Sequence, residues 1–166
     1  MNPKAKIICG DILNLSQNSI HEKDFDIVFS LSCIDWNVCF SAMLSTAWSY
    51  VYPGGHLVAT FRLTMDKGCN DINQSYQYIN YNGKQIGEVA PYIVLNAKNF
   101  IQRLSKLSSR EIRACGYFGT PSITTVTPYD QLCFVAVSIQ KNKPSDTKEV
   151  IYNLDLPQEI RDYMEI

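Results

Sequence analysis

The chain has 166 residues, and its 15 Lys and Arg almost balance its 16 Asp and Glu, which leaves a formal net charge of -1. No block of like charges could follow a phosphate backbone or an anionic membrane, so neither nucleic acid nor a membrane is expected as a partner. No stretch approaches the roughly 18 apolar residues of a membrane span, and the amino terminus has no apolar stretch of signal length. We therefore expect a soluble, cytoplasmic protein.

Cysteine and histidine are not arranged for metal binding or acid–base work. The six cysteines include no Cys-x-x-Cys pair, and three of them lie in apolar, strand-like runs, which favours reduced, structural thiols. His21 precedes a predicted strand and His56 begins one, whereas ligands of open α/β sheets bind beyond the carboxyl ends of the strands. We expect no zinc site and no histidine base.

Apolar runs and periodic segments alternate along the chain, which is typical of a mostly parallel sheet covered by helices. The first predicted strand is Lys6 to Cys9, and the second, Phe25 to Ser30, is a run of the kind that is buried on both faces. Apolar residues from Val38 to Val51 form one helical stripe, which Pro53-Gly54-Gly55 should end before a third strand at His56 to Phe61. One domain of 1–166 is expected.

The second half begins with a different pattern over residues 66–95. Tyrosines alternate up to Asn82-Gly83, and apolar residues alternate away from it, which predicts a β-hairpin. A helix capped by Asn96 should follow, with Phe100, Ile101, Leu104 and Leu107 facing inward. Strands are then predicted at Glu111 to Gly116 and Gln131 to Ile139, with a charged loop at 141–149 and a short helix from Pro157.

Four pieces in this order suggest a family: Gly10-Asp11 after a strand, the Phe25 to Ser30 strand followed by Asp35-Trp36, a helix containing Trp48, and Tyr-Pro-Gly-Gly-His-Leu-Val-Ala-Thr-Phe ending at Phe61. Together they resemble the class I S-adenosylmethionine-dependent methyltransferases, over about residues 5 to 140. The resemblance implies an α/β, Rossmann-like sheet that is truncated at the N-terminus, carries the inserted hairpin, and ends in an antiparallel strand pair.

The resemblance also implies cofactor contacts. Asp11 matches the acid that accepts a hydrogen bond from the adenine of S-adenosylmethionine, with the Ile12 amide beside it, and Ser30, Leu31 and Ser32 match the backbone along the methionine part. A carboxylate suits the first role because it offers only acceptors. A turn or cap after a strand is the other interpretation of Asp11.

Asp35 and Trp36 fall where the family places residues near the transferred methyl group, so they are the catalytic candidates. A helix cap for Asp35 and core packing for Trp36 remain equally open. Arg62, Tyr76, Tyr78 and Tyr117 are the substrate-binding candidates, because topology brings them to the same rim of the sheet. The hairpin of 66–95 is either a substrate lid or a solvent-facing decoration whose tyrosines reflect strand propensity.

The chain departs from the family in one respect. No Gly-x-Gly-x-x-Gly follows a strand, and no acid ends a preceding strand to hold the ribose, so about two strand–helix units of the family pattern are missing from these residues. Without these contacts we expect cofactor affinity no better than about millimolar. The resemblance predicts the C-terminal portion of a methyltransferase for a small organic or sugar-like acceptor; the alternative is an inactive remnant used for binding or assembly.

In the family order, the four strands predicted after Lys6 to Cys9 should lie side by side as Phe25 to Ser30, His56 to Phe61, Gln131 to Ile139 and Glu111 to Gly116. The Lys6 to Cys9 strand would lack its neighbour and would have to move, pair with another molecule or remain unpaired. The apolar edge of Phe25 to Ser30 has no Lys, Pro or bulge to protect it, so we expect a homo-oligomer or a partner chain that supplies the missing strands.

Overall fold

The computed structural model describes residues 8–14, 25–80, 87–145 and 149–165, which form a mixed α/β fold. In chain order, the elements are β1 (Phe25–Ser30), α1 (Phe40–Ser49), β2 (Val51–Thr64), β3 (Tyr76–Tyr78), β4 (Val89–Pro91), β5 (Leu95–Asn96), α2 (Ala97–Ser105), β6 (Ser109–Gly119), β7 (Thr125–Val126), β8 (Leu132–Lys141), β9 (Ile151–Asp155) and α3 (Gln158–Met164). A single turn of 3-10 helix, Ile34–Trp36, lies between β1 and α1.

The main sheet has the strand order β1, β2, β8, β6, β9, with β5 paired to the carboxyl end of β2. β1 runs parallel to β2, whereas β8 runs antiparallel to both of its neighbours, β2 and β6. The four strands expected to lie side by side therefore do so in the predicted order, with the predicted antiparallel pair. The strand β9, parallel to β6 at the far edge, was not predicted.

One face of the main sheet carries the hydrophobic core. Alternate residues of β2, including Leu57 and Phe61, are buried there with Ile112 of β6 and Ile139 of β8. All three helices place their apolar residues in this same cluster. The helical residues are Phe40, Met43, Leu44 and Ala47 from α1, Ala97, Phe100, Ile101 and Leu104 from α2, and Ile160 and Met164 from α3. The apolar face that the two-residue period gives each strand thus packs against the apolar face that the 3.6-residue period gives each helix.

The opposite face of the main sheet, called the open face below, has no helix packed on it within the described residues. Ile27 is 50% exposed, Phe29 65% and Tyr117 67%. The prediction that Phe25 to Ser30 is buried on both faces is therefore wrong, since only Ser30 of β1 is buried. The physical reason is position: in the described chain β1 lies at the sheet edge, and its outward side chains meet no helix.

A small second sheet, with the order β4, β3, β7, lies beside the main sheet. Tyr76↔Pro91 and Tyr78↔Val89 are antiparallel pairs, so the predicted hairpin is confirmed, while its Asn82-Gly83 turn lies outside the described residues. The pairing of β7 with β3 was not predicted, because a two-residue strand has no periodicity to detect.

The segment Pro53-Gly54-Gly55 does not separate α1 from the following strand as predicted. The helix ends at Ser49, and β2 already begins at Val51. Register jumps from Phe25↔Val51 to Ile27↔His56, so the Pro-Gly-Gly segment is the extra backbone of a bulge inside β2.

Two predicted elements at the chain's ends have different outcomes. Ile8 and Cys9 have no regular secondary structure, and the rest of the Lys6 to Cys9 strand lies outside the described residues. The short helix at the other end is confirmed as α3, with Pro157 as its N-cap. Among the described helices, none is both long and apolar enough to cross a bilayer.

The predicted helix after Asn96 is confirmed as α2. The Asn96 side chain accepts a hydrogen bond from the Asn99 amide at 3.0 Å, which satisfies one of the free amides of the first turn. Leu107 lies beyond the helix and is partly buried against the core.

Candidate functional site

A cavity of about 740 Å³ opens at the carboxyl ends of β1 and β2, between the open face of the main sheet and the small sheet. Thr60 and Arg62 of β2 line it together with Phe134 of β8 and Tyr117 of β6. Gln77 of β3 contributes from the hairpin side. Its size is in the usual range of small-molecule sites, and its place in the sheet is where ligands of open α/β folds bind.

The most tightly packed polar group at this cavity is the Arg62 cluster, formed by Arg62, Asp35, Trp36 and Tyr92. Arg62 Nη2 lies 3.1 Å from Asp35 Oδ2, and both side chains are almost completely buried. Arg62 Nη1 donates to the carbonyl oxygens of Asp35, at 3.0 Å, and Ile93, at 3.4 Å.

Aromatic rings cover the Arg62 guanidinium. Its central carbon lies 4.3 Å from the ring centre of Trp36 and 3.7 Å from that of Tyr92, and the two rings meet nearly at right angles. Cation–π contacts of this kind are strongest when water is excluded. The Arg62 guanidinium therefore contacts oxygen atoms through its Nη atoms and aromatic rings through its faces, so few of its atoms are available to bind an anionic ligand.

Burial controls the protonation of this pair. Desolvation raises the pKa of Asp35 above its ordinary value, and the nearby Arg62 guanidinium opposes that rise. Burial likewise lowers the pKa of Arg62, against the attraction of Asp35. Among the described residues Asp35 Oδ1 has no hydrogen-bond partner, while backbone hydrogen bonds from Asp35 and Cys33 to the carboxyl also lower its pKa and limit the rise.

Asp35 and Trp36, the predicted catalytic residues, both line the cavity. Asp35 lies inside the 3-10 turn, whose N-cap is Cys33, so it is not the cap of that turn. Trp36 packs against a small cluster of Tyr92, Val94 and Leu132 while it covers Arg62, so it has a packing role as well as a place at the site. Their catalytic role stays a prediction.

The predicted cofactor residues at the end of β1 form a tight turn. Ser30 is buried and its hydroxyl has no hydrogen-bond partner among the described residues, whereas Leu31 is 56% exposed. Ser32 has a φ of 49°, a left-handed conformation that serine rarely adopts, and its amide donates to Thr60 Oγ1 at 2.7 Å. This hydrogen bond holds the turn at the cavity, where Ser32 is a lining residue.

Asp11 and Ile12, the other predicted cofactor residues, do not line this cavity as the structure describes it. The Asp11 carboxylate accepts hydrogen bonds from the Leu13 amide and the Asn14 side chain, both at 3.0 Å, so it stabilises its own turn. Ile12 packs against the main core. Because a carboxylate has further lone pairs, the turn does not prevent Asp11 from accepting an adenine hydrogen bond.

Of the four predicted substrate residues, Arg62 and Tyr117 line the cavity and the hairpin tyrosines do not. Tyr76 and Tyr78 pack edge to face with each other, 5.5 Å between ring centres, while Gln77 between them faces the cavity. Strand alternation could have revealed this, because residues two apart share a face. No local sequence pattern indicated that Tyr92 covers Arg62, because the two residues are far apart in sequence and meet only in the folded chain.

His56 lies at the opposite rim, as predicted. His56 precedes Arg62 by six residues along β2, and its ring nitrogen Nδ1 is 3.2 Å from Ser138 Oγ of β8. His21 lies outside the described residues. Within the described chain, no group of three or more His, Cys, Asp or Glu side chains is arranged to hold a metal ion.

The described residues fit S-adenosylmethionine only in part. The turn at the end of β1 offers the exposed Leu31 and the cavity-lining Ser32, whereas the Ser30 hydroxyl is buried and does not line the cavity. No glycine-rich turn follows a described strand, and nothing in the described chain supplies an acid for the ribose. The described residues alone therefore do not form a complete cofactor site.

No protein-family model matches the chain, and it has no significant match among curated proteins. The evidence for the function of this chain is therefore its sequence pattern, its strand order and the geometry of its cavity.

Proposed function

We propose that this chain is the C-terminal portion of a class I S-adenosylmethionine-dependent methyltransferase, and that its cavity binds a small-molecule acceptor. The observation that carries the proposal is the strand order β1, β2, β8, β6 with its antiparallel closing strand, in a chain whose cavity opens at the carboxyl ends of β1 and β2. That order was expected from the sequence resemblance and from nothing else in the chain.

Each lining group has a role in this proposal. Asp35 accepts the proton of the acceptor, since burial raises its pKa and leaves Oδ1 without a hydrogen bond. Arg62 and Trp36 hold Asp35 in place. Tyr117 supports the acceptor, and the hairpin, through Gln77, closes over it as a lid.

S-adenosylmethionine supplies the methyl group when it is bound, and Ser30, Leu31, Ser32 and Asp11 are its contacts on this chain. The glycine-rich turn and the ribose acid come from further polypeptide, on the same chain or on a partner. Each missing contact to a polar ligand group costs about 1 to 3 kcal/mol, so losing three weakens binding roughly a thousandfold. The free cysteines suit a cytoplasmic setting.

The test is a calorimetric titration of the chain with S-adenosylmethionine, alone and after co-expression with the polypeptide encoded immediately upstream. We expect a dissociation constant of about millimolar or weaker for the 166 residues, and a micromolar constant together with methyl transfer after co-expression. Upstream DNA that encodes no strand with a glycine-rich turn, together with no transfer in either sample, would reject the proposal.

A matched pair of variants locates the chemistry. In the co-expressed sample, Asp35→Asn should abolish most of the turnover and leave cofactor affinity unchanged, because Asp35 acts on the acceptor. Glu159→Gln, an equivalent change on the exposed surface of α3, should change neither quantity. Equal turnover in the two variants would remove Asp35 from the mechanism.

The second candidate function is an inactive, methyltransferase-like assembly module. The exposed apolar residues of β1 favour it, because large bare patches are rarely left on monomers. In that case the chain self-associates or binds a partner through β1, and Asp35→Asn leaves the association unchanged.

A further inference from the structure

The cavity has an unequal balance of charge. Three charged side chains line it: Asp35, Arg62 and Asp155. Arg62 is paired with Asp35 and covered by two rings, so these two charges neutralise each other. Asp155, the last residue of β9, is exposed at the cavity, and in the described chain no hydrogen bond or ion pair engages its carboxylate. The unmatched charge of the cavity is therefore negative.

An aromatic platform lies beside this carboxylate. The Tyr117 ring is 67% exposed and stacks on Phe134, with 5.8 Å between ring centres and 30° between ring planes. Cys115 pairs with Asp155 across β6 and β9, and Tyr117 is two residues further on the same face. From the rise per residue and the strand spacing, the Cα atoms of Tyr117 and Asp155 are roughly 8 Å apart.

We propose that the cavity binds an arylalkylamine, whose flat aromatic ring stacks on Tyr117 and whose alkylammonium group lies near the Asp155 carboxylate. This inference rests on the proposed function, in which the cavity is the acceptor site, and it adds the chemical class of the acceptor. An aromatic face next to a carboxylate is a favourable environment for an organic cation, because the ring quadrupole and the negative charge act together.

Anionic ligands are disfavoured by the same geometry. A carboxylate or phosphate would need the Arg62 cation, whose Nη atoms already serve Asp35 and Ile93 and whose faces are covered by Trp36 and Tyr92. It would also meet the unpaired charge of Asp155. The cavity volume of about 740 Å³ accommodates a two-ring molecule without rearrangement.

The experiment compares tryptamine with indole-3-acetate, which share the indole ring and carry opposite charges. Each is titrated calorimetrically into the 166-residue chain at pH 7 and low salt. We expect tryptamine to bind up to about fivefold more tightly, since an exposed ion pair is worth up to about that factor. Equal affinities, tighter binding of indole-3-acetate, or binding of neither compound would overturn the inference.

Two variants assign the binding to its residues without disturbing the buried pair. Asp155→Asn should reduce the preference for tryptamine to near unity, and Tyr117→Leu should weaken tryptamine about five- to tenfold through loss of ring stacking. Glu159→Gln is the charge-matched control and should change neither. Unchanged tryptamine binding in both cavity variants would show that the amine binds elsewhere and would contradict the inference.

A competition arm separates this inference from the proposed function. In the co-expressed sample, where the cofactor site is complete, saturating S-adenosylhomocysteine should leave tryptamine bound, because the amine contacts Tyr117 of β6 and Asp155 of β9, across the sheet from the Ser32 turn. Displacement would show that the cavity belongs to the cofactor, and the amine inference would fail. If tryptamine binds as expected but no methyl transfer occurs after co-expression, the proposed function fails while the amine site stands.

Discussion

The two faces of the main sheet differ in almost every physical respect. On the helix-covered face, Leu57, Ile112 and Ile139 are completely buried among residues from all three helices. On the open face, Ile27 and Phe29 are at least half exposed, whereas Arg62 is buried within its cluster. Stability should therefore come mainly from the first face, and ligand or partner contacts from the second.

The Arg62 cluster is the exception on the open face, and its removal should have the largest effect. Arg62→Met leaves the Asp35 carboxylate buried and unpaired, so we expect a loss of about 3 to 5 kcal/mol in the free energy of unfolding, measured by urea denaturation. Arg113→Met is the matched control: Arg113 pairs with Glu111 at 2.8 Å, but its side chain is 64% exposed. The control should cost less than about 1 kcal/mol.

A double variant tests the pairing itself. Adding Asp35→Asn to Arg62→Met removes the orphaned charge, so the pair of changes should destabilise less than the sum of the single changes. Additive losses would mean that the two side chains contribute independently, and would contradict the cluster.

One substitution on each face measures how much that face contributes to stability. Ile112→Ala on the covered face should cost about 2 to 5 kcal/mol, because it removes a fully buried side chain and leaves a cavity. Ile27→Ala on the open face, where the side chain is 50% exposed, should cost less than about 1 kcal/mol. Similar urea midpoints for the two variants would mean that the open face is covered in solution.

Association through β1 should be visible as a change in molecular mass. We expect the wild-type chain to self-associate, and Phe29→Lys to reduce the mass measured by light scattering, because a lysine protects a sheet edge. Tyr52→Lys, a change at another exposed aromatic residue, is the control. A wild-type chain that is a stable monomer at high concentration would reject the association.

The smallest expected effect concerns two cysteines on opposite faces. Burial raises the pKa of Cys133, on the covered face, to about 11, whereas Cys115 is exposed on the open face. At pH 8 Cys133 should stay protonated, so Cys115→Ser should remove one fast-reacting thiol from a disulfide-exchange titration and Cys133→Ser none. Because the folded pKa is raised, the contribution of the neutral Cys133 thiol to stability persists below pH 9.0 and is lost as the pH rises through about 11.

The sequence predicted what depends on local pattern. The Asn96 cap, the stripe of α1 and the Tyr76 to Val89 hairpin follow from neighbouring residues alone. The strand order came from the resemblance. The prediction that Pro53-Gly54-Gly55 ends the helix in a turn is wrong because the same residue types also occur in β-bulges. Only the pairing of β2 with β1 distinguishes a turn from a bulge here.

Long-range contacts explain the rest of what was missed. The Asp35 and Arg62 side chains are 27 residues apart, and no spacing rule relates them. β9 has an exposed, irregular pattern that does not alternate, so Asp155 could not be placed at the cavity from sequence. Tyr76 and Tyr78 were predicted at the site because topology brings the hairpin to this rim, but the alternation of β3 directs Gln77, and not the two tyrosines, to the cavity.

The most direct test of the central claim is an NMR titration of the 166-residue chain with S-adenosylhomocysteine. The proposed methyltransferase site predicts amide shifts at Ser30, Leu31 and Ser32 that saturate only at about millimolar ligand, since part of the cofactor's contacts is missing. No shifts at these residues up to about 10 mM, or shifts confined to other parts of the chain, would contradict it. Saturation at micromolar ligand would contradict the claim that contacts are missing.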